Sequence, residues 1–201
     1  MLTPKFFQDN GYIVIPKMLN GDLLKFVGIH AYNMARIQGP NLEDSQVPNT
    51  PSSYDDFVMA NLHDFLLPKM EQYTGLKLYP TYTYFRVYKK GDVLEKHKDR
   101  PSCEISVSLC LRRKQEEHIW PIFIENEDYK SKRNLQNSYT ARAMLEEGDG
   151  LIYRGCECAH WRDKFEGTKL AQVFLHYVDA DGPHAEWKND KQENKYFAQE
   201  K

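Results

Sequence analysis

Three residues of this sequence, His97, Asp99 and His160, have the types and spacing of a metal site. On an extended backbone, residues two apart project to the same side, so His97 and Asp99 can bind one ion together. A second histidine from a distant strand would complete three ligands and leave the other coordination positions open. Two histidines, one carboxylate and open positions are typical of non-haem Fe(II) sites that activate O2. We therefore predict that these three residues bind one ferrous ion.

The His-x-acid pattern occurs twice in the chain, and its surroundings distinguish the two cases. His184 and Glu186 lie in a polar stretch after the last predicted strand, which indicates a surface position. His97 and Asp99 lie between two strand-like segments, which favours a metal site over a solvated turn. His176 lies within an apolar strand, and we interpret it as a structural histidine rather than a ligand.

Cys156, Cys158 and His160 alternate along the chain, so on a strand they could face one way and bind zinc. Structural zinc sites usually have four ligands, often in Cys-x2-Cys or His-x3-His spacing, and no such partner is visible in the sequence. We therefore prefer the interpretation that both cysteines are small, buried or half-buried residues.

The composition excludes several classes of protein. With 201 residues, 41% hydrophobic and 28% charged, the chain is expected to form one globular domain. No apolar run approaches the ~20 residues of a membrane helix, and the N-terminal residues are not those of a signal peptide. A net charge of −2 disfavours nucleic-acid binding. Four cysteines do not make a disulfide scaffold, so reduced thiols in the cytoplasm are expected.

The first 75 residues are predicted to be mainly helical. Hydrophobic periodicity and capping residues predict helices over residues 3–9, 22–37 and 55–73, and a short strand over 12–15. Thr3 is the expected N-cap of the first helix, and Pro68 is expected to bend or divide the third. Residues 38–55 are rich in Pro, Asn, Ser and Asp, and we expect a loop that is either a functional lid or an idle connection.

Residues 76–180 are predicted to form a β-rich core, followed by a charged tail over 181–201. Strand-like segments cover residues 79–88, 104–111, 118–124, 151–153 and 170–178, and residues 125–140 read as a polar connection. Alternation in the first segment puts Tyr82, Tyr84, Arg86 and Tyr88 on one face. Helices followed by strands without a βαβ rhythm predict an α+β, mainly β fold, with N-terminal helices packed on one sheet of an antiparallel sandwich or jelly roll.

The order of these motifs resembles a known family. The matching residues are Tyr88, Asp92, His97 and Asp99, then Gly148–Tyr153, His160, Gly167 and Lys169. They resemble the 2-oxoglutarate- and Fe(II)-dependent dioxygenases, most closely the prolyl 4-hydroxylase-like branch, and residues 6–15 are similar to the start of phytanoyl-CoA hydroxylase-like members. The resemblance implies a double-stranded β-helix with the metal at the mouth of the barrel. It also implies that 2-oxoglutarate chelates the iron and that O2 decarboxylates it to succinate, with ascorbate as a candidate reductant.

The resemblance also implies residues that bind 2-oxoglutarate. Its distal carboxylate needs a cation and a hydroxyl donor in the barrel, because a buried charge must be paired and hydrogen-bonded. Lys169, at the start of the last strand, matches the family position and is the first choice for the cation. Arg162 is the second choice, since a guanidinium can bind a carboxylate through two hydrogen bonds. Tyr88 matches the family tyrosine, and Tyr84 and Arg86 share its face as further pocket candidates.

We therefore predict an Fe(II)- and 2-oxoglutarate-dependent dioxygenase that hydroxylates a peptidyl residue, an amino acid or a small metabolite. The alternative is a cupin-like metal-binding barrel without 2-oxoglutarate turnover, which would use the same ligands for Zn, Mn or Ni. The residues expected to bind 2-oxoglutarate distinguish the two, because the alternative gains if Lys169, Arg162 and Tyr88 all lie outside the cavity.

Overall fold

A computed structural model describes residues 4–114 and 118–192 of the chain. Four α-helices occur in these residues: α1 Pro4–Asn10, α2 Gly21–Gln38, α3 Phe57–Thr74 and α4 Glu127–Lys132. The first three agree with the hydrophobic periodicity. Helix α3 begins after Asp56, whose side chain accepts hydrogen bonds from the backbone N–H groups of Val58 and Met59. It is followed by the C-cap residue Gly75, which adopts a left-handed φ of 71°.

The strands form two sheets. Those in the described residues are β1 Tyr12–Ile15, β2 Ser52–Tyr54, β3 Leu78–Lys89, β4 Leu94–His97, β5 Ile105–Arg113, β6 Ile122–Glu125, β7 Thr140–Ala143, β8 Gly150–Arg154, β9 Ala159–Arg162 and β10 Lys169–Asp179. The larger sheet has the order β1-β8-β5-β10-β3-β2, and the smaller has the order β4-β9-β6-β7. The neighbouring strands of both sheets pair antiparallel.

Alternation along the strands of the larger sheet produces two separate cores. Phe85 and Val87 of β3 face the helices and pack in a core with α1, α2 and α3. Tyr84 and Tyr88 of the same strand face the smaller sheet and pack in a core between the sheets. A fully buried aliphatic or aromatic side chain contributes roughly 1.5–3 kcal/mol to folding, so both faces of β3 fix its register.

The structure differs from the sequence predictions at the ends of several elements. The loop predicted over 38–55 is shorter, because Ser52–Tyr54 pair with β3 as an edge strand. Pro68 lies inside α3, and the helix continues through it to Thr74, so the proline does not divide the helix. The polar connection over 125–140 contains α4, whose Tyr129 is buried against the inter-sheet core.

Two expectations fall at the ends of the chain. Thr3, the expected N-cap of α1, and the last nine residues of the predicted charged tail, 193–201, lie outside the described residues. Before that point, residues 185–191 contain 3-10 helical turns that lie against β3 and β10. Within the described residues, no helix combines the length and apolar character that crossing a membrane requires.

Candidate metal centre

Strand pairing in the smaller sheet brings the two predicted histidine ligands together. In the register between β4 and β9, His97 lies opposite His160, and their ring centroids are 4.3 Å apart. Asp99 follows β4 and is held by a hydrogen bond from its backbone N–H to the carbonyl of Gly155 (2.9 Å). Gly155 is required at this point, because a Cβ on it would lie 2.3 Å from Asp99 Oδ2.

The potential ligand atoms of these three residues converge at one point. Asp99 Oδ1 is 3.5 Å from His97 Nε2 and 3.6 Å from His160 Nε2. All three potential ligand atoms lie within 4.8 Å of one another, which suits a single ion bound by three ligands on one face. The Asp99 side chain is only 10% exposed, so its carboxylate is largely withdrawn from water.

The hydrogen bonds of the two imidazoles define which nitrogens are free. His97 Nδ1 lies 2.8 Å from the carbonyl oxygen of Glu95, and His160 Nδ1 lies 3.1 Å from that of Cys158. A carbonyl only accepts hydrogen bonds, so both Nδ1 atoms carry the proton. When the rings are neutral, both Nε2 atoms therefore offer a lone pair towards Asp99, which is the second-sphere arrangement typical of metal-binding histidines. The side chains present thus fit a divalent metal ion.

The electrostatics of the cluster favour an ionised aspartate. Burial opposes the charge of Asp99, but the adjacent His160 and the hydrogen bond from His97 outweigh it, so its pKa is lowered. For His160, burial lowers the pKa of the imidazole, which favours the neutral ring. For His97, burial acts against protonation, but hydrogen bonds to Asp99 and to the Glu95 carbonyl outweigh it and raise the pKa. One carboxylate and two neutral imidazoles offset only one of the two positive charges of a divalent ion. A further anionic ligand can neutralise the other.

The three residues open into a cavity of about 500 Å³ between the sheets. Its lining includes Tyr82, Tyr84 and Arg86 of β3, which share one face as the alternation predicts. Residues 41 and 43–46 line the other side, so the loop before β2 lies over the cavity. Tyr54 stacks on Tyr82 at this opening, with ring centroids 4.8 Å apart.

Arg86 is paired with this loop. Asp44 Oδ2 accepts hydrogen bonds from Arg86 Nη2 (2.6 Å) and Nε (3.0 Å), and from the Tyr84 hydroxyl (2.8 Å). Arg86 Nη1 donates to the hydroxyl of Tyr88 at 3.2 Å. The Asp44 and Arg86 side chains are 4% and 2% exposed, so this is a buried and fully paired ion pair. Sequence reasoning missed Asp44, because nothing in an irregular loop indicates which strand its side chains will contact.

Arg162 lies between the sheets, two residues beyond His160 on β9, and neither it nor Tyr88 is among the residues that line the cavity. It is 1% exposed, and its guanidinium stacks over Trp120 with a centroid distance of 4.7 Å. Nη1 donates to the Trp120 carbonyl at 2.6 Å, but Nε and Nη2 have no hydrogen-bond partner in the described part of the chain. Burial lowers the pKa of Arg162, only partly offset by Tyr88 and other buried groups.

Lys169, the first choice for the 2-oxoglutarate cation, points away from the cavity. Its neighbour Leu170 faces the inter-sheet core, so Lys169 lies on the helix side of β10. There its Nζ lies 4.5 Å from the ring centroid of Tyr32 in α2. The sequence spacing was compatible with both faces of the strand, and the structure does not bring Lys169 to the other candidate residues.

The remaining histidines and cysteines divide between structural positions and the cavity. Cys158 Sγ donates to the Gly11 carbonyl at 3.6 Å, and neither it nor Cys156 belongs to a ligand cluster among the described residues. His176 was interpreted as structural, but it also lines the cavity, as does Cys103. The pairing of β10 with β3 and β5 determines the inward face of His176, which the sequence alone did not reveal.

Comparison with solved structures identifies the fold. A prolyl-4-hydroxylase from Pseudomonas putida superposes with a TM-score of 0.66 and 15% identity, over 88% of this chain and 98% of that chain. The non-haem α-ketoglutarate-dependent epimerase SnoN from nogalamycin biosynthesis gives 0.71 and 11%, over 89% and 81%. HygX from Streptomyces hygroscopicus, solved with nickel and 2-oxoglutarate, gives 0.63 and 15%, over 88% and 86%. No protein-family model matches the sequence, and neither does any curated protein.

The chain has the fold of the 2-oxoglutarate-dependent oxygenases. The predicted double-stranded β-helix with helices on one sheet is thereby confirmed. At these identities the similarity concerns the fold, and the chemistry has to be argued from the residues of this chain.

Proposed function

We propose that this chain is an Fe(II)- and 2-oxoglutarate-dependent oxygenase that hydroxylates a peptidyl residue, an amino acid or a small metabolite. The observation that carries the proposal is the convergence of two imidazole lone pairs and one carboxylate on a cavity in a fold shared with such oxygenases. In this proposal His97, Asp99 and His160 hold the iron. When bound, the iron supplies the site for 2-oxoglutarate and O2 and the oxidising power for hydroxylation.

We propose that the distal carboxylate of 2-oxoglutarate binds Arg162, which lies between the sheets beyond the residues that line the cavity. A buried guanidinium with two nitrogens that lack a hydrogen-bond partner among the described residues is costly, and an anionic ligand would pair it. Arg162 shares strand β9 with His160, so one strand would contribute a metal ligand and the carboxylate-binding residue. Tyr88 lies beside it in the inter-sheet core and remains the candidate hydroxyl donor. Lys169 does not fit this role, since its ammonium lies against Tyr32 on the helix side of β10.

The wide side of the cavity is proposed to admit the substrate. Tyr82 and Tyr84 present aromatic and hydroxyl groups there, and the loop bearing Asp44 covers it as a lid. Arg86 is therefore proposed to anchor this lid and to line the substrate side. Ascorbate is the proposed reductant. The free state of the cysteines, Cys103, Cys110, Cys156 and Cys158, supports the cytoplasm as the proposed compartment.

Anaerobic titration with Fe(II) and 2-oxoglutarate tests the proposal. Chelation of the iron by 2-oxoglutarate produces a visible metal-to-ligand charge-transfer band, which we expect in the wild type and not in His97→Ala. Lys169→Ala, on the helix side of β10, is the matched control and should retain the band. Succinate formation under O2 would then provide the assay for a substrate screen.

The competing possibility is a cupin-like metal-binding barrel, which gains support because none of Lys169, Arg162 and Tyr88 is among the residues that line the cavity. Tight binding of divalent metal ions without a charge-transfer band at saturating 2-oxoglutarate would support that barrel and overturn the proposed oxygenase. Loss of the band in Lys169→Ala but not in Arg162→Met would restore the sequence prediction for the carboxylate-binding residue.

A further inference from the structure

Asp99 lies next to a second pair of metal-binding side chains, Cys103 and His176. One potential ligand atom from each of the three residues lies within 4.8 Å of the other two. Cys103 ends the 3-10 turn Pro101–Cys103 that follows Asp99, and His176 comes from β10 in the larger sheet. All three residues line the cavity, so an ion could reach them from the same opening.

The hydrogen bonds around His176 leave one of its nitrogens free for a metal. The Ser106 hydroxyl donates to the Cys103 carbonyl at 3.1 Å, and its oxygen lies 2.8 Å from His176 Nδ1. Because the hydroxyl has one hydrogen, both contacts are hydrogen bonds only if Nδ1 is the donor of the second. His176 Nε2 then retains its lone pair, and Ser106 orients the ring as second-sphere residues do at metal sites.

Only one oxygen of the Asp99 carboxylate faces the triad histidines. Oδ1 faces His97 and His160, while the buried Oδ2 has no hydrogen-bond partner within the described ranges. A Cβ at Gly155 would lie 2.3 Å from both Oδ2 and the Cys103 carbonyl oxygen, so Oδ2 and the Cys103 backbone lie beside the same glycine. A buried carboxylate oxygen without a partner is unfavourable, and a cation beside it would remove the penalty.

Cys103 completes the group with a soft ligand. Its Sγ lies 3.0 Å from the Tyr82 hydroxyl, and the side chain is buried. Thiolates prefer thiophilic ions such as Zn²⁺, whereas the triad of His97, Asp99 and His160 contains no sulfur. Three protein ligands and one water are a common set for zinc.

We propose that Asp99, Cys103 and His176 form a second metal site, which takes a thiophilic divalent ion such as Zn²⁺ and shares Asp99 with the triad. Binding would release the Cys103 thiol proton to solvent, as metal coordination by thiols does. Because Asp99 is common to both sites, Zn²⁺ would compete with Fe(II) for this chain. This site goes beyond the oxygenase function and requires neither 2-oxoglutarate nor turnover.

Cobalt provides a direct probe of sulfur ligation. Co²⁺ bound to a thiolate shows a near-ultraviolet sulfur-to-metal charge-transfer band, which nitrogen and oxygen ligands do not give. We expect this band on anaerobic titration of the wild type with Co²⁺, its removal by added Zn²⁺, and its loss in Cys103→Ser. In Cys103→Ser the Zn²⁺ affinity should fall by at least about tenfold, the size of effect seen even for second-sphere changes.

Matched variants keep the outcome interpretable. Cys156→Ser removes another thiol close to Asp99 and should retain the band. His97→Ala disrupts the triad alone and should also retain it, so failure of the oxygenase proposal leaves this test intact. Absence of the band in the folded wild type, its persistence in Cys103→Ser, or its loss in Cys156→Ser would each overturn the second site.

Discussion

The two buried arginines between the sheets, Arg86 and Arg162, differ in how completely the described residues pair their guanidinium groups. Arg86 has Asp44 and Tyr88 as partners, and although burial opposes its charge, these neighbours outweigh it and raise its pKa. Within residues 4–114 and 118–192, Arg162 has one hydrogen-bond partner, the Trp120 carbonyl, and burial lowers its pKa. An ion pair formed within the chain contributes to holding the fold in place, whereas a buried charge without a counter-charge can be paired by a ligand of opposite charge. This difference supports the proposal that Arg86 anchors the loop and that Arg162 binds the co-substrate.

The largest expected effect is on the paired arginine. Arg86→Met would leave the Asp44 carboxylate buried without its cation, which typically destabilises a protein by about 3–5 kcal/mol. Chemical denaturation of the apoprotein measures this loss. Arg162→Met is the matched control, and because its guanidinium is largely unpaired we expect little loss of stability or a gain. Equal losses in the two variants would contradict the distinction between them.

The unpaired arginine should instead determine co-substrate affinity. Two charge-assisted hydrogen bonds from Arg162 at about 1.5 kcal/mol each correspond to a loss of roughly 100-fold in 2-oxoglutarate affinity in Arg162→Met. Calorimetric titration of the Mn²⁺-loaded protein without O2 measures it. Unchanged affinity in a variant that still binds the metal would remove Arg162 from the site and return attention to Arg86.

Sequence reasoning predicted the residues that converge in the triad but not the contacts of the two arginines. His97 and Asp99 follow from the two-residue period of an extended chain, and the family pattern placed His160 on a later strand. Which face of β10 bears Lys169 depends on the register of β10 against β3 and β5, and spacing from His160 cannot determine it. The partner of Arg86 could not be predicted from the sequence either, because Asp44 lies in an irregular loop far from Arg86 along the chain.

The same contrast between burial and pairing applies to a group that stays neutral. His63 in α3 is buried, its Nε2 lies 2.8 Å from the His176 carbonyl, and burial lowers its pKa to about 3. Between pH 6.5 and about 3 the unfolded chain therefore binds one more proton at this residue than the folded chain. Stability should fall with decreasing pH in this window, by about 1.4 kcal/mol per unit from His63 alone.

Denaturation curves at several pH values test this effect. His63→Gln keeps an N–H that can donate to the same carbonyl but removes the titrating ring, so its stability should depend less steeply on pH than that of the wild type. Parallel pH profiles for the two proteins would show that His63 does not contribute to acid sensitivity.

The smallest expected effect is at Lys169, the cation that the sequence favoured. Its ammonium lies over the Tyr32 ring on the helix side of the larger sheet, a contact worth about 0.5–1 kcal/mol at a partly exposed position. Lys169→Ala should therefore lower stability by no more than this and leave 2-oxoglutarate affinity within about twofold of the wild type, which corresponds to less than 0.5 kcal/mol. Denaturation and calorimetric titration, carried out beside Arg162→Met, compare the two residues directly. A large loss of co-substrate affinity in Lys169→Ala would mean that the lysine turns into the barrel when 2-oxoglutarate binds, and Arg162 would then need another anion.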